Sequence, residues 1–177
     1  MNEASMALAM DPPAPTFEGL LLEHFNQVLS YVHRVVGDIA EAHRLTEETF
    51  AELARYYRKG KTPNQPRALM YLIATARARE FLKKGHRRGL VARVLHRETE
   101  PAVEFTDDDV KGLASDTNQR ALSTLEFGDK VVLLLHDYCG LSYDEVARAA
   151  GIGRSSVARD LDRARQSFKQ AYDYIKF

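Results

Sequence analysis

Residues 141–165 read LSYDEVARAAGIGRSSVARDLDRAR, and two short helices joined by a tight glycine turn fit that stretch. Ser142 followed three residues later by Glu145 forms a capping box, in which the serine hydroxyl takes an orphan amide and the glutamate reaches back to the serine's own N–H. Val146, Ala147 and Ala150 recur at helical spacing, Gly151 permits the left-handed backbone that stops a helix, and Ile152 re-enters the core. Gly153 then caps a second helix whose Val157 and Leu161 share one face. This is the pattern of a helix-turn-helix whose second helix lays its N-terminal residues in the DNA major groove. In that geometry Arg154, Ser155 and Ser156 meet base edges, and Arg159 and Arg163 reach phosphates or bases further along. The same geometry also arises as plain helical packing, and Asp160 and Asp162 in the second helix would repel phosphate. The motif by itself leaves both readings open.

Upstream of the motif, a helix is expected from Gln119, with the apolar run Val131–Tyr138 as its buried second half. Residues 98–118, ETEPAVEFTDDDVKGLASDTN, hold seven acids against one base with little periodicity and read as an acidic linker. Before them lies a unit at residues 16–97 with fifteen bases against eight acids. Its first helix carries Phe17, Leu20, Leu21, Phe25, Val28, Leu29, Val32 and Val35 and ends near Gly37. A second, from about Ile39 to Tyr57, turns Ala42, Leu45, Thr49, Phe50, Leu53 and Tyr57 inward. A third, over residues 67–84, turns Leu69, Leu72, Ile73, Ala76 and Leu82 inward. Residues 1–15 hold three prolines and no helical period, and are expected to be a disordered tail.

No strand of length is visible, so the class is all-α: two small helical domains, at residues 16–97 and 119–177, joined by the acidic linker, with the helix-turn-helix in the second. The formal net charge of zero across 177 residues conceals a basic stripe. Arg77, Arg79, Lys83, Lys84, Arg87, Arg88, Arg93 and Arg97 fall close together against Glu80, a pattern of either a solvated face or a phosphate-binding one. Tyr71 and Phe81 interleave with them and are candidate stacking platforms for unpaired bases, or core residues. The single Cys139 excludes an internal disulfide and points to a reducing compartment. Neither a membrane-spanning run nor a signal peptide is present, so the expected location is cytoplasmic, without membrane association. The six histidines show no metal-ligand spacing, and no nucleophile elbow or phosphate loop occurs, so neither metal, cofactor nor catalysis is expected.

Two helical units in this order resemble the domains of an extracytoplasmic-function (group four) RNA polymerase sigma factor. The residues carrying the resemblance are FEGLLLEHFNQVLSYVHRVVGD, LTEETF at 45–50 and ALMYLIATARAREFLKK in the first unit, and GLSYDEVARAAGIGRSSVARDLDRAR in the second. The resemblance implies an alternative sigma factor. Its first domain would dock on the β′ clamp helices of core RNA polymerase and help open the −10 promoter element, and its second would read the −35 element as duplex. Arg154, Ser155, Ser156, Arg159 and Arg163 would read −35. Arg77, Arg79, Lys83, Lys84, Arg87 and Arg88 would hold the −10 strand. Ala76 and Glu80 stand where the family usually has an asparagine and an aspartate.

The clamp-binding helix departs further, with His43 and Arg44 where the family usually shows acidic residues; Glu47 and Glu48 follow them. A cation there reverses the local field, and like charges across an interface cost several kcal/mol, so the unmodified chain is expected to bind core polymerase poorly. Phosphorylation of Thr46 or Thr49 by a serine/threonine kinase would bring negative charge back, as in family subgroups thought to be kinase-activated, with an anti-sigma factor the less expected regulator. The alternative is that both threonines merely pack or cap. Two other functions fit the same pattern: a sigma-mimicking adaptor, and a conventional helix-turn-helix transcription regulator.

Overall fold

The computed structural model describes residues 16–60, 63–95 and 116–176, with side-chain surroundings left undescribed for residues 86–95 and 116. The expected tail at 1–15 and most of the expected linker at 98–118 lie outside the described residues.

Local chemistry sets each helix. The Thr16 hydroxyl accepts from the Gly19 amide and starts α1 (Phe17–Val36), and Gly37, at φ 79°, ends it with its N–H on the His33 carbonyl. That backbone is one a side chain rarely adopts. Asp38 next accepts from the Glu41 amide at 2.9 Å and starts α2 (Ile39–Arg58). Pro66 opens α3 (Pro66–Leu95), where its missing N–H has no partner to lose. The helix expected to end at residue 84 thus continues to 95 and carries Arg87, Arg88 and Arg93 with it.

The helix expected from Gln119 to Tyr138 is broken in two. α4 spans Asp116–Thr124 and begins inside the stretch read as linker, and α5 spans Phe127–Leu133. Ser123 and Thr124 donate their hydroxyls back to the Arg120 and Ala121 carbonyls at 2.6 and 2.8 Å, local bonds that compete with helix continuation. α5 then widens into a π-helical turn, Leu134–Tyr138, where the Cys139 amide reaches the Leu134 carbonyl.

The helix-turn-helix forms as its sequence dictates. Ser142 and Glu145 complete the capping box at the start of α6 (Tyr143–Ala150), and Gly151 stops it at φ 70°. A 3₁₀ turn, Arg154–Ser156, leads into α7 (Val157–Lys176). Replacing Ser142 by alanine is expected to cost about 0.5–2 kcal/mol, read as a lower denaturant midpoint with an unchanged slope.

The two helical units pack on each other. Val28, Tyr31, Val32, Leu53 and Met70 of the first and Leu135, Leu141, Val146 and Leu161 of the second belong to one buried apolar cluster. α3 lies between, with α1 and α2 on one side and α6 on the other, and α6 rests chiefly on α3. Of the two readings offered for Tyr71 the core one holds, and one expected inward residue of α3 is corrected. Tyr71, a candidate stacking platform, is wholly buried: its ring stands edge-on to Tyr31 at 5.3 Å, while Phe81 is half-buried. Ala76, expected inward, is exposed, and Ala74, Thr75 and Ala78 are buried instead.

Three arginines of the first unit cross to the second. The Arg67 guanidinium donates to the Cys139 carbonyl and lies 4.0 Å from Glu145. Arg34 sits over the Tyr138 ring at 4.4 Å, and Arg79 over Phe127 at 4.9 Å. The Gln119 side-chain amide donates a hydrogen bond to the Arg34 carbonyl at 3.3 Å.

Candidate functional site

The 3₁₀ turn and the first turn of α7 stand clear of the protein. Gly153, Arg154, Ser155, Ala158 and Arg159 are exposed and Ser156 is half-buried, whereas Val157 and Leu161 anchor the helix in the core. Backbone and side-chain donors therefore project at one end of a rigid helix, the arrangement that enters a major groove.

Its arginines are held by carboxylates. Arg154 donates through Nε to Asp144 of α6, and its guanidinium lies 5.0 Å from the Tyr143 ring centroid. Arg159 bonds Asp160 at 3.1 Å. Arg163 bonds Asp129 at 2.6 Å and Asp160 at 3.0 Å, and Asp129 is buried near the start of α5. Arg163 is thereby a brace between α5 and α7, and hydrogen bonding to Asp129 holds its guanidinium even more firmly protonated. These contacts account for an acid that looked out of place in a recognition helix. The half-buried Asp160 faces Arg159 and Arg163 rather than solvent.

The basic stripe of α3 is also engaged along its described part. Arg77 bonds Glu52 at 2.6 Å and Glu48 at 3.4 Å, Lys84 bonds Glu80 at 2.7 Å, and Arg79 stacks on Phe127. Lys83 is exposed. The side chains of Arg87, Arg88 and Arg93, and all of Arg97, lie outside the described residues.

On α2, His43, Arg44 and Glu47 are exposed and Glu48 is half-buried. Arg44 bonds Glu41 through Nε at 2.9 Å and Nη2 at 2.6 Å, and Glu48 through Nη1 at 2.5 Å. Arg44 is thus paired with carboxylates of its own helix. The helix carries Glu41, Glu47, Glu48 and Glu52 around Arg44, so the cation lies inside an acidic stripe. A groove of about 460 Å³ runs beside it, lined by Glu41, Arg44, Glu48, Arg77, Glu80 and Lys84 among others.

Thr46 and Thr49 are both fully buried. Thr49 donates its hydroxyl to the Leu45 carbonyl at 2.7 Å, and the Thr46 hydroxyl is sealed from solvent. That burial is the packing role given above as the alternative to phosphorylation. A phosphate would have to be buried with its charge, and a kinase would need α2 to unpack first.

Sequence reasoning missed Asp129, Asp144, Glu41 and Glu52 as the partners that hold these cations. Glu41, Arg44 and Glu48 stand at helical spacing and were findable, whereas Asp129 and Arg163 are 34 residues apart and become neighbours only on folding. Among the described residues no cluster of histidine, cysteine and carboxylate side chains could hold a metal ion. No helix there is long and apolar enough to cross a membrane.

Residues 119–168 match the family described as sigma-70, region 4. The chain is 26% identical over 166 residues to the ECF RNA polymerase sigma factor SigE of Mycolicibacterium smegmatis, covering 91% of this chain and 62% of that protein. The fold is similar to that of the sigma factor RpoE of Bartonella quintana, solved in complex with the anti-sigma factor NepR, at a TM-score of 0.68 and 16% identity over 89% of this chain and 96% of that one. It is also similar to CnrH, solved with the cytosolic domain of CnrY, at 0.64 and 19% identity over 89% and 88% of the two chains.

Proposed function

We propose that the chain is an alternative sigma factor of the extracytoplasmic-function (group four) kind, which directs core RNA polymerase to a small set of promoters in the cytoplasm. The observation that carries this is the exposed 3₁₀ turn leading into α7, with Arg154 and Ser155 presented to solvent inside the segment matching sigma-70 region 4. Residues 153–159 read the −35 duplex in this reading, and the α3 stripe follows the −10 strand. The acidic stripe of α2 meets basic residues of the β′ clamp. The activity needs no catalysis by the chain itself, since polymerase supplies the chemistry.

Two elements 10–20 base pairs apart would be separated by roughly 34–68 Å at 3.4 Å per pair. In this reading the units, which share one core in the free chain, part to reach both elements. Regulation by a protein antagonist fits this requirement better than a kinase does. RpoE was solved with the anti-sigma factor NepR, and CnrH with the cytosolic domain of CnrY; a protein that holds the units together would keep the chain inactive.

Size exclusion with core polymerase, followed by run-off transcription, tests the reading. A one-to-one complex that initiates at defined start sites is expected. A sigma-mimicking adaptor would bind an anti-sigma protein without supporting transcription, and a conventional regulator would bind duplex DNA as a dimer without polymerase. Either result would sink the proposal.

A further inference from the structure

We propose that Arg44 is a built-in pseudo-ligand: its guanidinium occupies the carboxylate cradle of α2 that an arginine of the partner must enter, so the chain weakens its own grip on that partner. The inference rests on the polymerase reading above and adds to it the chemistry of the contact.

The cradle follows from spacing. Glu41, Glu48 and Glu52 recur at seven and four residues and line one stripe of α2, with Arg44 between the first two. A guanidinium is a planar fork that matches carboxylate oxygens in pairs. Arg44 uses the fork on its own helix: Nε and Nη2 converge on Glu41 at 2.9 and 2.6 Å, and Nη1 turns to Glu48 at 2.5 Å. Arg77 of α3 fills the other end of the stripe, at 2.6 Å from Glu52 and 3.4 Å from Glu48. Glu48 thus receives two guanidinium groups from the chain itself, and Glu41 and Glu52 one each, which identifies the stripe as a receptor for that group.

Exchange is feasible. The Arg44 side chain is half exposed, and its pairs with Glu41 and Glu48 lie on the surface, where such pairs are weak and screened. The adjoining groove of about 460 Å³, with Phe81 as its apolar wall and Lys84 at its rim, leaves room for a displaced or an incoming side chain. The occupant that fits is a helix surface presenting arginine, because lysine lacks the fork that Glu41 and Glu48 accept. His43 is exposed on the same helix, one residue from Arg44.

The test is a titration of core RNA polymerase with the full chain, Arg44→Ala and Arg44→Gln. Alanine and glutamine are both good helix formers, and circular dichroism before titration establishes that helix content is retained. Removing the competitor and its repulsion is expected to tighten binding about tenfold, with the gain shrinking as salt is raised. Glu48→Gln is expected to weaken binding in the same assay. Equal or weaker binding by both Arg44 variants, with wild type binding normally, would overturn the pseudo-ligand and leave the sigma reading standing. If neither wild type nor any variant binds polymerase, both readings fail together.

Discussion

Replacing Tyr71 by alanine is expected to lower stability by about 3–5 kcal/mol and to loosen both helical units at once. Tyr71 is one of the largest fully buried side chains, packed edge-on to Tyr31 within α1 and α3 and lying against the Cys139 thiol of the second unit. Truncation leaves a cavity between three helices that cannot all close on it, because Tyr31 is fixed by its bond to Thr75 at 2.7 Å. Chemical denaturation followed by far-UV dichroism measures the loss. Labelling of Cys139 reports the second unit independently. Burial pushes that thiol up to about 11, so it reacts slowly until the units part. Faster labelling of the Tyr71→Ala protein at low denaturant is the expected outcome. A first unit that loosens while Cys139 stays protected would show that the two units do not share a core.

The elements were legible where a local rule decides them. Ser142 with Glu145 gave the start of α6, Gly37 and Gly151 gave the ends of α1 and α6, and Val157 with Leu161 gave the buried face of α7. α3 was read less well because it is covered on two sides. Periodicity assigns one inward face, whereas Tyr71 and Thr75 are buried against Tyr31 of α1, and Tyr71 also lies beside Cys139 of the second unit. The break at Leu125 was hidden because Ser123 and Thr124 end α4 through their own hydroxyls, a choice that an apolar run on the far side does not announce.

The residues proposed to read DNA were picked by residue type, and the partners that hold them were not foreseen. Charge counting treats Arg44, Arg77, Arg159 and Arg163 as open positive charge. Folding gives each a carboxylate, some within a turn of the same helix and some 25 to 34 residues away. Helical geometry turns Thr46 and Thr49 to the core side along with Leu45, Phe50 and Leu53, and periodicity placed Thr49 there from the sequence alone.

Arg154 and Arg163 were given one role by the sequence, and the structure separates them. Arg154 is exposed at the leading turn of the recognition element, and its neighbours Asp144 and Tyr143 leave it able to swing toward a groove. A bidentate contact from an arginine to a guanine discriminates by about 1–3 kcal/mol, so Arg154→Ala is expected to relax promoter selection at one base pair by roughly 5- to 150-fold while folding stability stays unchanged. Arg163 bridges buried Asp129 of α5 to α7. Arg163→Ala is therefore expected to lower the melting temperature, because it leaves the Asp129 carboxylate buried without its partner, and to leave base preference intact in holoenzyme assayed well below melting. Transcription from promoters randomised at −35, set beside melting curves of the two variants, checks both. A loss of base preference with Arg163→Ala, or a large loss of stability with Arg154→Ala, would reverse the assignment. The readout and the brace of the same helix would then have to exchange places.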